Sequence, residues 1–593
     1  MITISEHMKS YIILSYRRSG HFLLAFLILI TCCTTNTNDT ADIILINGKI
    51  ITVDHKFSIH EAIAVKNGKI LGVGSNEKIN QFSGNQTRIL DLQGHTIIPG
   101  IIEAHAHPVQ ASQSELFEEI PDVKSIEELL TWIYSEAQKK QDGEWIVHPK
   151  FFATRIDEMR PPTLDELDSV APHNPVFLNG SYGGVINTSA LKYSNIDSLY
   201  DHEGILTDKT TGRPNGLIRR SAFNLLKIDK KDDLSDSLKM EALKKMLGLY
   251  NQVGITSVCS GLGTNETLNL FKTLKDRGDL TTRVFQNIYI PFSTNASEEE
   301  IMKALQELGY KTGDGDEWVK IGALKTVMDG GILTGTAYLR EPWGERGKEI
   351  FGITDPGYRG ILNLSKEDLV RMITIAAKLG WKFTAHVTGG GGVDKLLAAY
   401  QEVNKTIPIN QKRFSIIHGN FFTPQSIQIM KDLGVYADMQ PAWFYKDADL
   451  MKKVLGEHRI KSFHPYRSLI EAGIMVNGGS DHMVKLDSYS SINPYNPFLA
   501  IWTMITRTTE RGSVIVPEER ITREQALRMY TINNARASFE ENLKGSIEPG
   551  KYADLAVLSQ DILTCPEEKL KEIQVLLTMV DGRIVYNTDL LWP

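Results

Sequence analysis

Cysteine is scarce in this chain, with four among 593 residues: Cys32, Cys33, Cys259 and Cys565. Two are adjacent near the start and the others lie far apart, which excludes a disulfide scaffold and a zinc ribbon. Any metal ligands must therefore be nitrogen and oxygen. A basic surplus is also missing, with 65 Lys and Arg against 72 Asp and Glu and a net charge of −7, so no nucleic acid partner is expected. No dinucleotide-type glycine fingerprint follows an early strand, and there is no phosphate loop. Gly389 to Gly392 is a glycine run without the Lys and Ser/Thr of such a loop. Aromatic residues reach only 8%, while 42% hydrophobic and 23% charged residues mark an ordinary folded chain and exclude a disordered or collagenous one. At ~150 residues per domain the length suggests about four domains, although a single large barrel absorbs several such units.

The first 31 residues read as an export signal. Arg17 and Arg18 precede the apolar run Phe22 to Ile30, which is too short to span a bilayer. Leu29-Ile30-Thr31-Cys32 resembles a bacterial lipoprotein box, which makes Cys32 the expected lipidation site and Cys33 a competing choice. Thr31 departs from the small residue usual before that cysteine, and a plain secretory signal is the alternative. Residues 32–40 would then be a polar tether. The expected localisation is exported and membrane-attached through a lipid anchor only.

Both ends of the remaining chain carry turn signals. Asn47-Gly48, Asn67-Gly68 and Asp581-Gly582 each stand between β-branched or apolar runs. Such pairs favour two-residue hairpins because both turn residues need positive φ. Hairpins at both ends predict one β-sandwich built from 41–98 and 545–593, enclosing a closed unit over 99–544 with an insertion at about 120–225. In that middle region Val319 to Leu324, Phe383 to Ala385 and Phe414 to Ile417 look like buried strands. Leu369 to Leu379, Val393 to Tyr400 and Glu524 to Tyr530 carry helical periodicity. The alternation predicts an α/β fold with a parallel sheet, as a barrel or an open sheet.

The chemistry collects where strands hand over to loops. Ile97 to His107 is an apolar strand ending in His105-Ala106-His107, and residues i and i+2 of a strand share a face. Two such imidazoles can reach one ion, although the pair alone is equally compatible with surface histidines on an edge. His386, His418 and Asp481 each follow another apolar run, which is where barrel active sites form. Five such residues at successive strand ends are hard to explain as independent structural positions.

Taken in order, these motifs resemble the amidohydrolase superfamily, in its YtcJ-like branch that includes N-substituted formamide deformylases. The resemblance spans about Ala41 to Tyr586. It rests on Pro99-Gly100 leading into His105-Ala106-His107, on Lys325 to Gly330, on His386, His418 and Gly479-Ser480-Asp481, and on Gly545 to Leu555. It implies a distorted (β/α)8 TIM barrel beside a β-sandwich formed from both chain ends. It further implies that His105, His107, Lys325, His386, His418 and Asp481 hold one or two divalent ions, commonly zinc. Lys325 would be a carboxylated bridge, the alternative being an uncharged or ion-paired core lysine. Asp481, with His386, would carry the catalytic proton chemistry. Whether the chain works as a homodimer is left open.

Departures from the family pattern cluster around the expected substrate pocket. Ser181-Tyr182-Gly183 stands where relatives usually carry a histidine. Gly216-Leu217-Ile218-Arg219-Arg220 replaces an acid with bases, His386-Val387-Thr388-Gly389-Gly390 loses another acid, and His482 follows Asp481 where a small residue is common. Arg219, Arg220, His482 and Tyr182 are thus candidate substrate contacts, and an anionic substrate is expected, since Arg pairs well with carboxylate or sulfate. Drift in solvated loops is the competing explanation. The expected function is metal-dependent hydrolysis of an amide-like bond in a small molecule. One alternative is elimination of water from the terminal uronic acid of an oligosaccharide, with Trp343, Trp443, Phe444 and Tyr445 as sugar-stacking faces. Another is a non-enzymatic surface lipoprotein that captures a ligand.

Overall fold

The computed structural model describes residues 40–589 except 118, 197–201, 209, 229–233 and 291–295. The expected export signal, Cys32, Cys33 and nearly all of the tether lie outside the described residues. Among the described residues no helix is long and apolar enough to cross a membrane.

Eight strands form one parallel sheet in chain order. They are β1 (Ile101–Ala106), β2 (Ile255–Gly263), β3 (Arg283–Tyr289), β4 (Val319–Val327), β5 (Phe383–Val387), β6 (Ser415–His418), β7 (Tyr436–Met439) and β8 (Val476–Gly478). Nearly every residue of β3 to β8 is buried, as expected when helices cover the outer face of a parallel sheet. The helix Lys366–Lys378 shows how that cover is encoded. Ser365 caps its N-terminus by accepting from the Asp368 N–H, and Leu369, Met372, Ile373 and Ala376 form its buried stripe, the spacing of an amphipathic helix.

The sheet is a distorted barrel, because β1 and β8 meet without a ladder. Side chains close the seam instead. Glu103 Oε1 accepts from the N–H groups of His105 (2.9 Å) and Ser480 (2.8 Å). The Asn534 amide donates to Ile102 O (2.5 Å) and Gly478 O (2.9 Å). Beyond the strands, the Asp481 N–H donates to His105 O and the His107 N–H to His482 O, both at 2.7 Å.

Two further sheets stack as a sandwich. One holds Ile43–Ile46, Ala62–Lys66, Lys69–Gly74 and Arg88–Asp91. The other joins Lys49–Ile51, Ile59–His60 and Thr96–Pro99 to Leu555–Leu558, Val575–Val580 and Arg583–Asn587, with Leu555 opposite Pro99 and Leu558 opposite Thr96. Asn67-Gly68 and Asp581-Gly582 turn antiparallel hairpins with all four φ angles positive. Asn47-Gly48 does not. Its flanking strands lie in different sheets, so the chain crosses the sandwich there and only Asn47 has positive φ. Gly48 sits close to the core, and a Cβ there would lie 2.4 Å from Leu92 Cδ1, so a larger residue needs that side chain to shift.

Between β1 and β2 a five-stranded sheet of Ile146–His148, Val176–Asn179, Gly183–Ile186, Ile205–Thr207 and Pro214–Arg219 forms with its own helices and apolar cores. Residues of this insertion line the barrel mouth.

The opposite end of the barrel is locked by charge. Glu540 lies between Lys320 (2.9 Å) and Lys544 (2.8 Å), and Lys544 also donates to Ser257 Oγ at 3.1 Å. Burial alone would raise the Glu540 pKa, but the two ammonium groups outweigh it and hold the group at about 2, against an ordinary 4.5. A depressed carboxylate stabilises the fold above its unfolded pKa and loses that contribution as pH falls through the folded value. The difference corresponds to about 3 kcal/mol. Glu540→Gln should therefore melt earlier than wild type at pH 7, with the gap closing between pH 4.5 and 2. A gap that stays constant over that window would show that the ion pairs contribute little.

Candidate functional site

Parallel strands deliver their C-terminal residues to one face, and here that face carries the predicted cluster. His105 lies near the end of β1 and His107 just beyond it; Lys325 is in β4, His386 in β5, His418 ends β6, and Asp481 follows β8. All six are buried and line one cleft of about 1150 Å³, open to solvent. Asp481 Oδ1 is 3.1 Å from His107 Nε2 and 3.3 Å from His105 Nε2, and Lys325 Nζ is 3.1 Å from His105 Nε2. The ring of His418 lies 5.6 Å from that of His105 and 4.6 Å from that of His386, centre to centre.

His418 (φ 75°) and Asp481 (φ 57°) both occupy the left-handed region, which costs a non-glycine residue on the order of 1–3 kcal/mol and concentrates at functional sites. The Asp481 N–H bond to His105 O holds that conformation. Supporting contacts fix the rings. His418 Nδ1 is 2.8 Å from Gln440 Oε1, and Trp443 stacks on its face at 4.6 Å. His386 Nε2 lies 3.3 Å from Gly330 O, and Tyr182 stacks on it at 5.2 Å.

The donor set fits a divalent cation. Ligand atoms of His105, His107 and Asp481 all lie within 4.8 Å of one another, and His105 Nδ1 is buried without a hydrogen-bond partner. Burial, with Lys325 nearby, pushes His105 down to about 3, and burial does the same to His386. His107 and His418 are lowered for the same first reason. Neutral imidazole is the form that offers a lone pair to a metal. Burial also brings Lys325 down to about 8, so roughly a tenth of its amine is unprotonated at pH 7. For Asp481, burial favours the acid, but the bonds to His105 and His107 prevail and keep it ionised.

Two predicted substrate contacts reach the cleft and two do not. Tyr182 and Arg220 line it, with the Arg220 guanidinium 5.3 Å from the Tyr182 ring centre. Arg219 lies on the other face of its strand, over Tyr358 at 5.0 Å, in a neighbouring pocket. The strand ends at Arg219 and Arg220 opens a 3-10 helix, Arg220–Leu225, so the two side chains part there and the two arginines do not share one role. His482 is fully buried with both ring nitrogens engaged, Nδ1 near the Tyr250 hydroxyl (2.9 Å) and Nε2 near Lys485 O (2.7 Å). It pins the loop after β8 and does not face substrate. Of the four aromatics only Trp443 lines the cleft, with one face taken by His418. Trp343 and Phe444 are core residues, and Tyr445 packs against Trp502.

Several site residues are not among the candidates named from the sequence, although Asp329 lies within the Lys325 to Gly330 motif. Lys150, from the insertion, enters the cleft beside Ser181. Asp329 is buried and accepts from the N–H groups of Tyr338, Thr388 and Gly389 at 2.8–3.0 Å. It fixes the turn after His386, where the glycine run lets residues 338–340 pack closely. A Cβ on Gly389 would lie 2.1 Å from Tyr338 O. Gly261 in β2 supports the histidines in the same way, since a Cβ there would sit 2.4 Å from His105 Cε1 and 2.7 Å from His107 Cε1. Gly261→Ala should weaken metal binding by about 10–100-fold, the range for residues that orient ligands. Competition with a chromophoric chelator measures this, and unchanged affinity would show that the rings are not held by that contact.

Comparison with known proteins agrees with this arrangement. A family model described as the amidohydrolase family matches residues 88–586. An N-substituted formamide deformylase of Arthrobacter pascens is 28% identical over 563 residues, covering 92% of this chain and 98% of the relative. The protein YtcJ of Bacillus subtilis is 24% identical, covering 91% of this chain and 98% of the relative. A crystal structure of an uncharacterised metal-dependent hydrolase from Pyrococcus horikoshii superimposes with a TM-score of 0.65 at 22% identity, covering 89% of this chain and 99% of that one.

Proposed function

The chain belongs to the amidohydrolase family and is a metal-dependent hydrolase of that superfamily, and on that premise we propose that it cleaves a carbon–nitrogen bond of a small molecule. The observation that carries this is the convergence of His105 and His107 Nε2 on Asp481 Oδ1. A nitrogen and oxygen donor set suits zinc, held by His105, His107 and Asp481, with His386, His418 and Lys325 completing one or two sites. When bound, such an ion supplies an acidified water and polarises the substrate carbonyl.

The protein's own residues do the rest. The Asp481 carboxylate, kept ionised, accepts the proton of the attacking water and returns it to the departing nitrogen. His386 stands on the opposite side of the cluster from the β1 histidines and is oriented by Gly330 and Tyr182. Residues of the insertion, among them Lys150, Ser181 and Tyr182, line the cleft on one side.

The similarity to a formamide deformylase makes N-formyl and N-acyl amines the first substrates to test. Amine release should be abolished by a chelator and restored by zinc. Amine release that survives metal removal would overturn the reading. A second reading, dehydration of a terminal uronic acid, is favoured by the cations Lys150 and Arg220 in the same cleft as Asp481. They suit a carboxylate whose α proton Asp481 would remove. The lipoprotein-type start supports an exported, lipid-anchored enzyme; loss of lipid labelling in Cys32→Ser but not Cys33→Ser would identify the attachment point.

A further inference from the structure

Lys150 is a buried charge in the cleft that the proposed reaction does not use. It follows the strand Ile146–His148 and is 7% exposed, yet no carboxylate among the described residues lies within ion-pairing distance. Its ammonium contacts the Ser181 hydroxyl and Met483 Sδ. An ammonium has three donors and a thioether is a weak acceptor, so much of its hydrogen-bonding capacity faces the cleft. The other charges there do not compensate. Arg155 is already neutralised by a bidentate pair with Asp447 at 2.7 and 2.9 Å. Arg220 at the rim has no carboxylate partner among the described residues either. Asp481 is the sole acid lining the cleft, and it is engaged by His105 and His107.

The surroundings are built to hold the ammonium in place. Ser181 takes a left-handed backbone, φ 70°, a conformation that non-glycine residues adopt at a cost. Its N–H donates to Asn179 Oδ1 at 2.8 Å, and Phe151 N–H donates to Asn179 O at 2.8 Å, which ties the two segments together. Buried charges are retained when something pairs with them. Here no carboxylate of the described residues lies within ion-pairing distance, and Asp481 acts on it only from farther away.

We propose that Lys150, with the Ser181 hydroxyl, is the anion receptor of this site, and that the substrate carries a carboxylate or a similarly compact anion close to the bond that is cut. This rests on the carbon–nitrogen hydrolase reading for the bond and adds the class of substrate: N-acylated or N-formylated amines bearing an acid group. Arg220 at the rim would draw the anion in, and Lys150 would fix its position relative to the β-strand ends.

The test uses the metal-loaded full chain and calorimetric binding of three matched probes: an N-formyl amino acid, its carboxamide, and the corresponding sulfonate. The expected result is at least tenfold tighter binding of the acid than of the carboxamide. That preference should fall to within twofold in Lys150→Met and persist in part in Lys150→Arg, with metal content unchanged in both. The sulfonate arm tells a carboxylate-specific receptor from one for oxyanions in general. Equal affinity for acid and carboxamide in the wild type overturns the proposal without needing any variant, as does an intact preference in Lys150→Met. Amine release with no charge preference would remove the receptor and leave the hydrolase. Charge preference without amine release from any probe would keep the receptor and remove the hydrolase.

Discussion

Asp481→Asn should lower kcat by about 10²–10⁴-fold, the range for a group that moves protons in the rate-limiting steps. The substitution keeps the shape of the side chain and the backbone bond from Asp481 N–H to His105 O, so the fold should survive. It removes the negative charge on which both histidines converge and the oxygen able to take a proton from water. Excess zinc should not restore activity, because the missing function is proton transfer as well as ligation. Circular dichroism and a melting curve near wild type, beside a collapsed kcat, are the expected pair of results. Turnover within tenfold of wild type would remove Asp481 from the mechanism.

The second large effect concerns stability. Arg283 at the start of β3 is 1% exposed and joins the barrel to the sandwich. It donates to Asp554 at 2.8 and 3.2 Å, to Asp581 at 3.1 Å and to Glu317 O at 2.9 Å, and it stacks on Tyr552 at 3.9 Å. Burial would favour loss of its proton, but the two carboxylates prevail and hold it firmly charged. Arg283→Leu leaves Asp554 buried without its partner, a loss of about 3–5 kcal/mol. Denaturant melts should show that drop, with aspartate-to-asparagine at 554 in the same background recovering part of it. A loss under 1 kcal/mol would mean that the two layers are joined by apolar packing alone.

The two predictions differ in how far the sequence could have led to them. Asp481 is legible because it follows an apolar run and belongs to an ordered set of strand-end residues. Asp554 is also legible, as part of the closing motif, but its partner Arg283 is 271 residues away and nothing local marks it. The same holds for Lys150, whose proposed role depends on an inserted sheet that lines the mouth. Gly261 was invisible because its function is the absence of a side chain beside His105 and His107.

Some misreadings had a physical cause already present in the sequence. Arg219 closes a strand and Arg220 opens a 3-10 helix, so only one of the two consecutive side chains reaches the cleft. Asn47-Gly48 carries the same turn signal as Asn67-Gly68. Local chemistry can specify a reversal, but it does not say whether the next strand pairs with the last or crosses to a facing sheet. His482 shows the converse limit, since the histidine beside Asp481 is buried with both ring nitrogens engaged, by Tyr250 and Lys485 O. The barrel, the sandwich from both ends and the six strand-end residues were legible. The pocket specificity was not, because it is written in contacts between distant segments.

The central claim is that this cluster adds water across a carbon–nitrogen bond. The most direct test is mass spectrometry of products formed in oxygen-18-labelled water by the zinc-loaded protein, offered N-acylated amino acids and uronate-ended oligosaccharides, with a chelated control. The account predicts amine release with one labelled oxygen in the acid product, absent from the control. Loss of water from the uronate, with no labelled oxygen incorporated and the amides untouched, would contradict it and make the cluster a metal-dependent dehydratase.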